Sequence, residues 1–250
     1  MNKKAIKFNK QKYRPKKNKK IFFIFTTLLF LGIIYLLFFS PVFNIKEIIV
    51  LGNKKVSSEE IKNNLIRDNI FLTNNKSIED QLLKKIPEIL ELKINKNLLK
   101  RKLEINIKER ETVGIICSIG TCFYFDENGI IFDDAPNTSG SLIVVIQDNS
   151  GRNYEIGNKI SEKTFIDTVL EINENLFSEI GLRVSSFNID SYPIEELKAV
   201  TTEGWYALFN LKKDTENQLL ALKVALNEKI KDRTGLQYID LRIENRIYYK

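Results

Sequence analysis

The chain has 250 residues, 43% of them hydrophobic, enough for one large folded domain or two small ones and too apolar for wholesale disorder. It holds no histidine and two cysteines, which excludes imidazole-based hydrolysis, His-ligated zinc, four-thiolate metal sites and a disulfide-dense scaffold. The formal charge of +7 is concentrated in residues 1–20, which carry ten Lys or Arg and no acid; the remainder has 29 basic against 32 acidic residues, so no global field draws nucleic-acid phosphates to the folded part.

Residues 1–20 read as a basic cytoplasmic tail, and 21–40 as a transmembrane helix. Ile21 to Phe39 is uncharged, with Thr26, Thr27 and Gly32 as its weakly polar interruptions. Nineteen residues at the helical rise cover roughly 28 Å, the hydrocarbon thickness of a bilayer. A cleaved signal peptide is the rival reading, but its apolar region would be shorter and would end at a small-x-small site, whereas this one ends LLFFSPVF. The twenty residues after the span balance three bases (Lys46, Lys54, Lys55) against three acids (Glu47, Glu59, Glu60). The positive-inside rule then puts the N-terminus in the cytoplasm and the bulk of the chain outside it.

Residues 42–111 form a first unit. FNIKEIIVLGN reads as a strand anchored by Ile45, Ile48 and Val50 and stopped at Gly52-Asn53. VSSEEIKNNLI carries a helix start, with Ser57 as N-cap, Glu60 at the capping-box position and Val56 able to staple against Ile61. In SIEDQLLKKIP, Ser77 reads as the cap of a second helix whose apolar face is Leu82, Leu83 and Ile86. ILELKI suggests a strand. KLEINIKER is a clearer one, with Leu103, Ile105 and Ile107 alternating against Glu104, Asn106 and Lys108. Glu109 and Arg110 read as its solvated end.

Residues 112–250 turn strand-rich. VGIIC and TCFYFD flank Ser118-Ile119-Gly120-Thr121, a hairpin turn, and DENG (Asp126 to Gly129) marks another before IIF. FDDAP, with Asp133 and Asp134, reads as an exposed turn, two adjacent acids being far short of a calcium loop. SLIVVIQ suggests a buried strand. A helix capped by Ser161 follows, lined by Phe165, Val169, Ile172, Leu176 and Ile180 and closed by Gly181. Two strands, ELKAVTT and WYALFNLK, turn at Glu203-Gly204. A second helix after Asp214 shows Leu219, Leu222, Leu226 and Ile230 on one face, and LQYIDLRIE and RIYYK close the chain as short strands broken at Glu244-Asn245. Cys117 and Cys122 flank a four-residue turn. Hairpin partners can place their Cβ atoms near disulfide separation, and outside the cytoplasm such a bond persists; two ordinary buried thiols are the alternative.

The order strand, helix, helix, strand, strand resembles a POTRA module, and the text around it resembles the FtsQ/DivIB family of division proteins. The family's V-x-G-N strand end, P-x-[IV] turn and E-R strand end fall on Val50, Gly52 and Asn53, on Pro87 and Ile89, and on Glu109 and Arg110; Thr112-Val113 departs where the family often has Pro. Tyr238-Ile239-Asp240-Leu241-Arg242 is similar to its C-terminal Y-[IV]-D-L-R signature, with Ile243 in place of a frequent aromatic. The resemblance implies an α+β chain: a single N-terminal transmembrane helix, a POTRA-like β-α-α-β-β module, then a strand-rich mixed α/β domain with two helices.

It further implies a bitopic division scaffold of the plasma membrane, concentrated at the septum, whose POTRA module serves recruitment and whose last strands dock partners of the FtsB and FtsL type. Carried onto this chain, the docking residues are Tyr238, Asp240, Arg242, Ile243, Arg246, Tyr248 and Tyr249. Arg242 and Arg246 would pair with acidic partner residues and Tyr248 or Tyr249 would anchor, while Leu241 and Ile247 read as core. No catalytic, metal or cofactor constellation is recognisable, and no small-molecule substrate or nucleic acid is expected. A POTRA component of a secretion or assembly system and an anchored wall-active enzyme are the competing readings.

Overall fold

The computed structural model describes residues 19–65, 68–138, 140–244 and 246–250; the basic tail, apart from Lys19 and Lys20, lies outside the described residues, as does Asn245 of the predicted final break. Among the described residues the chain forms five α-helices and twelve strands in two sheets.

Helix α1, Lys19–Phe39, is long and apolar enough to cross a membrane and buries none of its residues against the rest of the chain. The Thr26 and Thr27 hydroxyls both donate to the Phe23 carbonyl at 2.9 Å, which satisfies the polar interruptions inside the helix itself. Pro41 opens a single 3₁₀ turn, Pro41–Phe43, capped by Ser40. The last carbonyls of α1 do not go unpaired. Asn69, from the next unit, donates its amide to Leu37 and Phe38 oxygens at 2.8 and 2.9 Å.

The first sheet has the order β1-β3-β2: β1 (Glu47–Leu51) runs parallel to β3 (Lys102–Glu109), and β2 (Ile89–Asn97) runs antiparallel to it. Leu103, Ile105 and Ile107 face the core as their alternation predicts, against Ile61 of α2 (Ser58–Asn63) and Leu82 of α3 (Asn75–Lys85). Ser57 caps α2, accepting from Glu59 N at 3.2 Å. The expected Ser77 cap is displaced. Asn74 holds that position and accepts from Lys76 N, so α3 starts two residues before Ser77. Gly52 ends β1 with φ +84°; a Cβ there would meet the Ile107 carbonyl oxygen at 2.3 Å, so the motif glycine is required by the close approach of β3.

The second sheet has nine strands in the order β12-β11-β10-β9-β8-β7-β4-β5-β6. Strands β4 (Gly114–Ser118) and β5 (Thr121–Phe125) form the predicted hairpin, its turn made by Ile119 and Gly120 at φ +52° and +82°. Strand β6 (Ile131–Asp134) corrects the reading of FDDAP. Asp133 and Asp134 are exposed, but they end a strand, because Tyr124 and Phe123 continue to pair with them. Strand β7 is Val144–Asp148. Helix α4 spans Lys163–Ile180; its N-cap is Glu162, without a side-chain cap bond, and not Ser161 as expected.

Between α4 and the expected pair β9 (Glu196–Thr201) and β10 (Tyr206–Asn210), the structure has a strand the sequence reading omitted, β8 (Val184–Ile189). Its register shifts between Val184 and Ser186, so the inward residues Val184, Phe187 and Ile189 lose strict alternation. Helix α5 (Thr215–Val224) passes into a π turn, Ala225–Lys229, and connects β10 to its parallel neighbour β11 (Tyr238–Asp240); β12 (Tyr248–Tyr249) forms the edge. Helices α4 and α5 share the main core with Trp205, Phe125, Phe187 and Phe209.

Ile115, Cys117 and Cys122 occupy a smaller apolar cluster. Cys117 lies opposite Cys122 across the hairpin with Cα atoms 4.1 Å apart, the close spacing of a non-hydrogen-bonded antiparallel pair, and the sulfurs are at bonding distance. Unreduced protein is expected to show no alkylatable thiol after denaturation. Cys117→Ser with Cys122→Ser is expected to cost about 2 kcal/mol, set by the short loop, in urea unfolding.

Candidate functional site

Among the described residues no group of three or more Cys, Asp or Glu side chains is arranged to hold a metal. The predicted docking residues instead gather at one edge of the large sheet. Strand β11 is held between β10, paired in parallel, and the two-residue strand β12, paired antiparallel. The main chain of Lys250 exchanges bonds with Tyr238, its N–H donating to Tyr238 O at 3.2 Å and its oxygen accepting from Tyr238 N at 3.3 Å. Alternation along β12 therefore turns the Tyr249 N–H and C=O away from β11, toward the open side.

The side chains divide into two groups. Tyr248, Tyr249 and Ile243 are exposed, with about half of each surface open to solvent. Leu241 is buried and Ile247 packs against the main core, as read from the sequence. Arg242 is already committed within the chain. Its Nε and Nη2 donate to Asp240 at 2.9 and 2.7 Å, and its Nη1 donates to Glu196 of β9 at 2.6 Å. The hydrogen bonds to Asp240, reinforced by Glu196 against partial burial, hold the guanidinium above its ordinary pKa, and the same bonds pull the Asp240 carboxyl below its own. Arg246 is exposed. Tyr238 stacks on Tyr206 at 5.8 Å between centroids, and the Lys198 ammonium lies 4.1 Å over the Tyr206 ring.

Next to the edge, a groove of about 720 Å³ runs between α5 and the β11–β12 connection, lined in part by Leu220, Val224, Ile243 and Arg246. Leu220 and Val224 are exposed and are not on the Leu219 face expected from the sequence. Their signal was present: the two recur at spacing four, a second apolar stripe on the same helix. Glu196 was also missed, since nothing local marks it as the third member of the Arg242 network.

Glu109 and Arg110 depart from the reading of a solvated strand end. The Glu109 carboxylate accepts from the backbone N–H groups of Lys54, Lys55 and Val56 at 2.6–3.0 Å, closing the β1–α2 loop. Burial alone would raise its pKa, but these three donors outweigh it and bring the net value below the ordinary one. Arg110 donates to Pro87 O at 2.8 Å and to Asp126 at 2.5 Å, tying the first sheet to the second.

The comparisons with known proteins fit this geometry. Residues 43–110 match the family model described as "POTRA domain, FtsQ-type". Cell division protein DivIB of Clostridium acetobutylicum is 28% identical over 214 residues, 84% of this chain and 83% of that protein. DivIB of Clostridium tetani is 29% identical over 70% of this chain and 66% of its own length, and DivIB of Bacillus cytotoxicus is 31% identical over 56% and 54%. The major extracytoplasmic domain of the trans isomer of DivIB from Geobacillus stearothermophilus covers 49% of this chain and 97% of its own at 14% identity; its TM-score of 0.28 is too low to carry an argument. Residues 43–110 thus form an FtsQ-type POTRA unit, and the chain is similar along most of its length to DivIB cell-division proteins.

Proposed function

We propose that the chain is a single-span adaptor of the division machinery that performs no chemistry itself and docks membrane partners of the FtsB and FtsL type. In this reading the N-terminus is cytoplasmic, the two sheets lie outside, and the protein concentrates at the septum. Protease added to intact spheroplasts is then expected to digest the two-sheet region; digestion confined to permeabilised cells would reverse the orientation.

The observation that carries the docking reading is the open side of β12. Outward main-chain groups at Tyr249 can add a partner strand, and exposed Tyr248, Tyr249 and Ile243 with the α5 groove supply apolar anchoring beside it. Tyr249→Pro removes the outward donor while leaving the bonds of Lys250 to β11 available, so it is expected to lower partner capture at least about tenfold with little loss of stability. Arg246→Glu is expected to weaken binding of an acidic partner segment. Arg242→Glu is a poorer probe than the sequence suggested, because it would set a third acid beside Asp240 and Glu196. Co-purification from crosslinked membranes measures both; wild-type capture by Tyr249→Pro would remove strand addition from the account.

A further inference from the structure

The first sheet has two ends, and register decides which one faces the bilayer. Because β1 and β3 are parallel, with Glu47 opposite Lys102, the exit of the chain from α1 and the hairpin joining β2 to β3 lie at the same end. Contacts bring the two together. Arg101 Nη1 donates to the Val42 carbonyl, and Lys46 N donates to Arg101 O at 2.9 Å. The hairpin tip is thus bound to a residue three positions beyond the end of α1. On the same side, the Phe71 ring meets those of Phe38 and Phe43 at 6.4 and 5.4 Å.

The tip presents an unusual surface for a water-facing turn. Leu99 is 97% exposed and Leu98 45%, with Leu72 57% exposed on the neighbouring α2–α3 connection. Residues 95–102 read NKNLLKRK, four cations and no acid. Lys96 is held by Thr73 O, Lys102 by Glu47 and Arg101 by Val42 O, which leaves Lys46 and Lys100 exposed at the outer rim. Apolar side chains at the apex and cations around them match the layering of a bilayer surface, acyl chains beneath phosphates.

We infer that the β2–β3 hairpin tip is a second membrane contact: Leu98 and Leu99 enter the headgroup layer beside the span, and Lys46 and Lys100 pair with the phosphates of anionic lipid. The inference rests on the reading of α1 as a membrane span. The occupant follows from continuity with that span and from the sign of the surrounding charge, since a tip held within three residues of the helix end lies at the lipid surface.

The test uses the full chain in vesicles of phosphatidylglycerol and phosphatidylcholine whose acyl chains carry bromine, a short-range quencher of tryptophan. The parent has one tryptophan, fully buried Trp205, which gives a constant background. Leu99→Trp is expected to lose about half of its added emission to the bromolipid, and less in all-phosphatidylcholine vesicles or when Lys46→Glu and Lys100→Glu are added. Quenching of Phe30→Trp, within the span, without quenching of Leu99→Trp would overturn the tip contact and leave the anchor standing. Absence of quenching at both positions would remove the anchor and the inference together. Quenching of Leu99→Trp that ignores lipid charge would overturn the anionic-lipid assignment. An emission shift seen only in native membranes, never in vesicles, would give the tip to a protein partner and overturn the inference as well.

Discussion

Replacing Asp126 with alanine is expected to cost about 3–5 kcal/mol and to separate the unfolding of the two sheets. Asp126 is almost fully buried and works in two directions. Its Oδ1 accepts from Asn128 N and Ile130 N at 2.9 Å, shaping the β5–β6 turn, while its Oδ2 receives Arg110. Arg110 in turn holds Pro87 O through Nε and Glu88 O through its backbone N–H, so the pair joins the edge of the first sheet to a turn of the second. Alanine would leave a guanidinium with 16% side-chain exposure without its carboxylate, the situation in which a broken ion pair is most costly. Asp126→Asn keeps an acceptor for the turn and should fall between wild type and alanine. Urea titration of the detergent-solubilised chain, followed by Trp205 fluorescence and by far-UV dichroism, reads both effects. A double-mutant cycle with Arg110→Ala isolates the pair; zero coupling would show that the junction is held by something else.

Asp148→Ala should be comparably severe, about 3–5 kcal/mol, and it carries a pH signature. Its carboxylate is fully buried at the end of β7, where it accepts from Ser150 N at 2.8 Å, Arg152 Nε at 2.8 Å and the Tyr154 hydroxyl at 2.5 Å. Arg152 is itself stacked on Tyr154 and Tyr192, 5.2 and 4.7 Å from their centroids, and Arg152 Nη2 is buried without a partner. Burial would raise the Asp148 pKa, but the hydrogen bonds from Ser150 and Tyr154 and the charge of Arg152 prevail and the net shift is downward. Burial, and then the bond to Asp148, push the Tyr154 hydroxyl above its ordinary range. A carboxylate whose folded pKa lies below its unfolded value contributes its full stabilisation above about pH 4 and loses it as the pH falls through the folded value. Wild type should therefore weaken on acidification more steeply than Asp148→Asn. Parallel stability curves for the two proteins between pH 6 and pH 3 would refute the assignment.

Asp126 was legible as a turn residue, but its pairing with Arg110 was hidden for the reason that hid the roles of Glu109 and Arg110. Those partners are set by tertiary return, Arg110 lying sixteen residues from Asp126 and Lys54 to Val56 more than fifty from Glu109. Asp148, with partners within six residues, was missed because nothing in the sequence marks its carboxylate as buried. Features set by local period were legible: the apolar span, the Leu103-Ile105-Ile107 face, the Leu219-Leu222-Leu226-Ile230 stripe and the Ile119-Gly120 hairpin. Strand β8 was lost because a bulge broke its alternation and because Ser185 and Ser186 resemble loop residues; in the fold their hydroxyls bond Val200 O and Asn188. Caps slipped by one to three residues, at Asn74 and Glu162, where several polar residues in a row could each begin a helix. At the candidate site the cluster of residues was readable, but not the division of labour within it. Only the fold separates Arg242, bound inward, from Tyr248 and Tyr249, which face solvent.

The Asn69 amide that seizes the Leu37 and Phe38 carbonyls removes the free swivel expected of a tether. Rotation of α1 about its own axis must carry the first sheet with it, like a key turning with its shaft. A neighbouring helix that favours one flank of α1 would thereby set the compass bearing of everything attached to it.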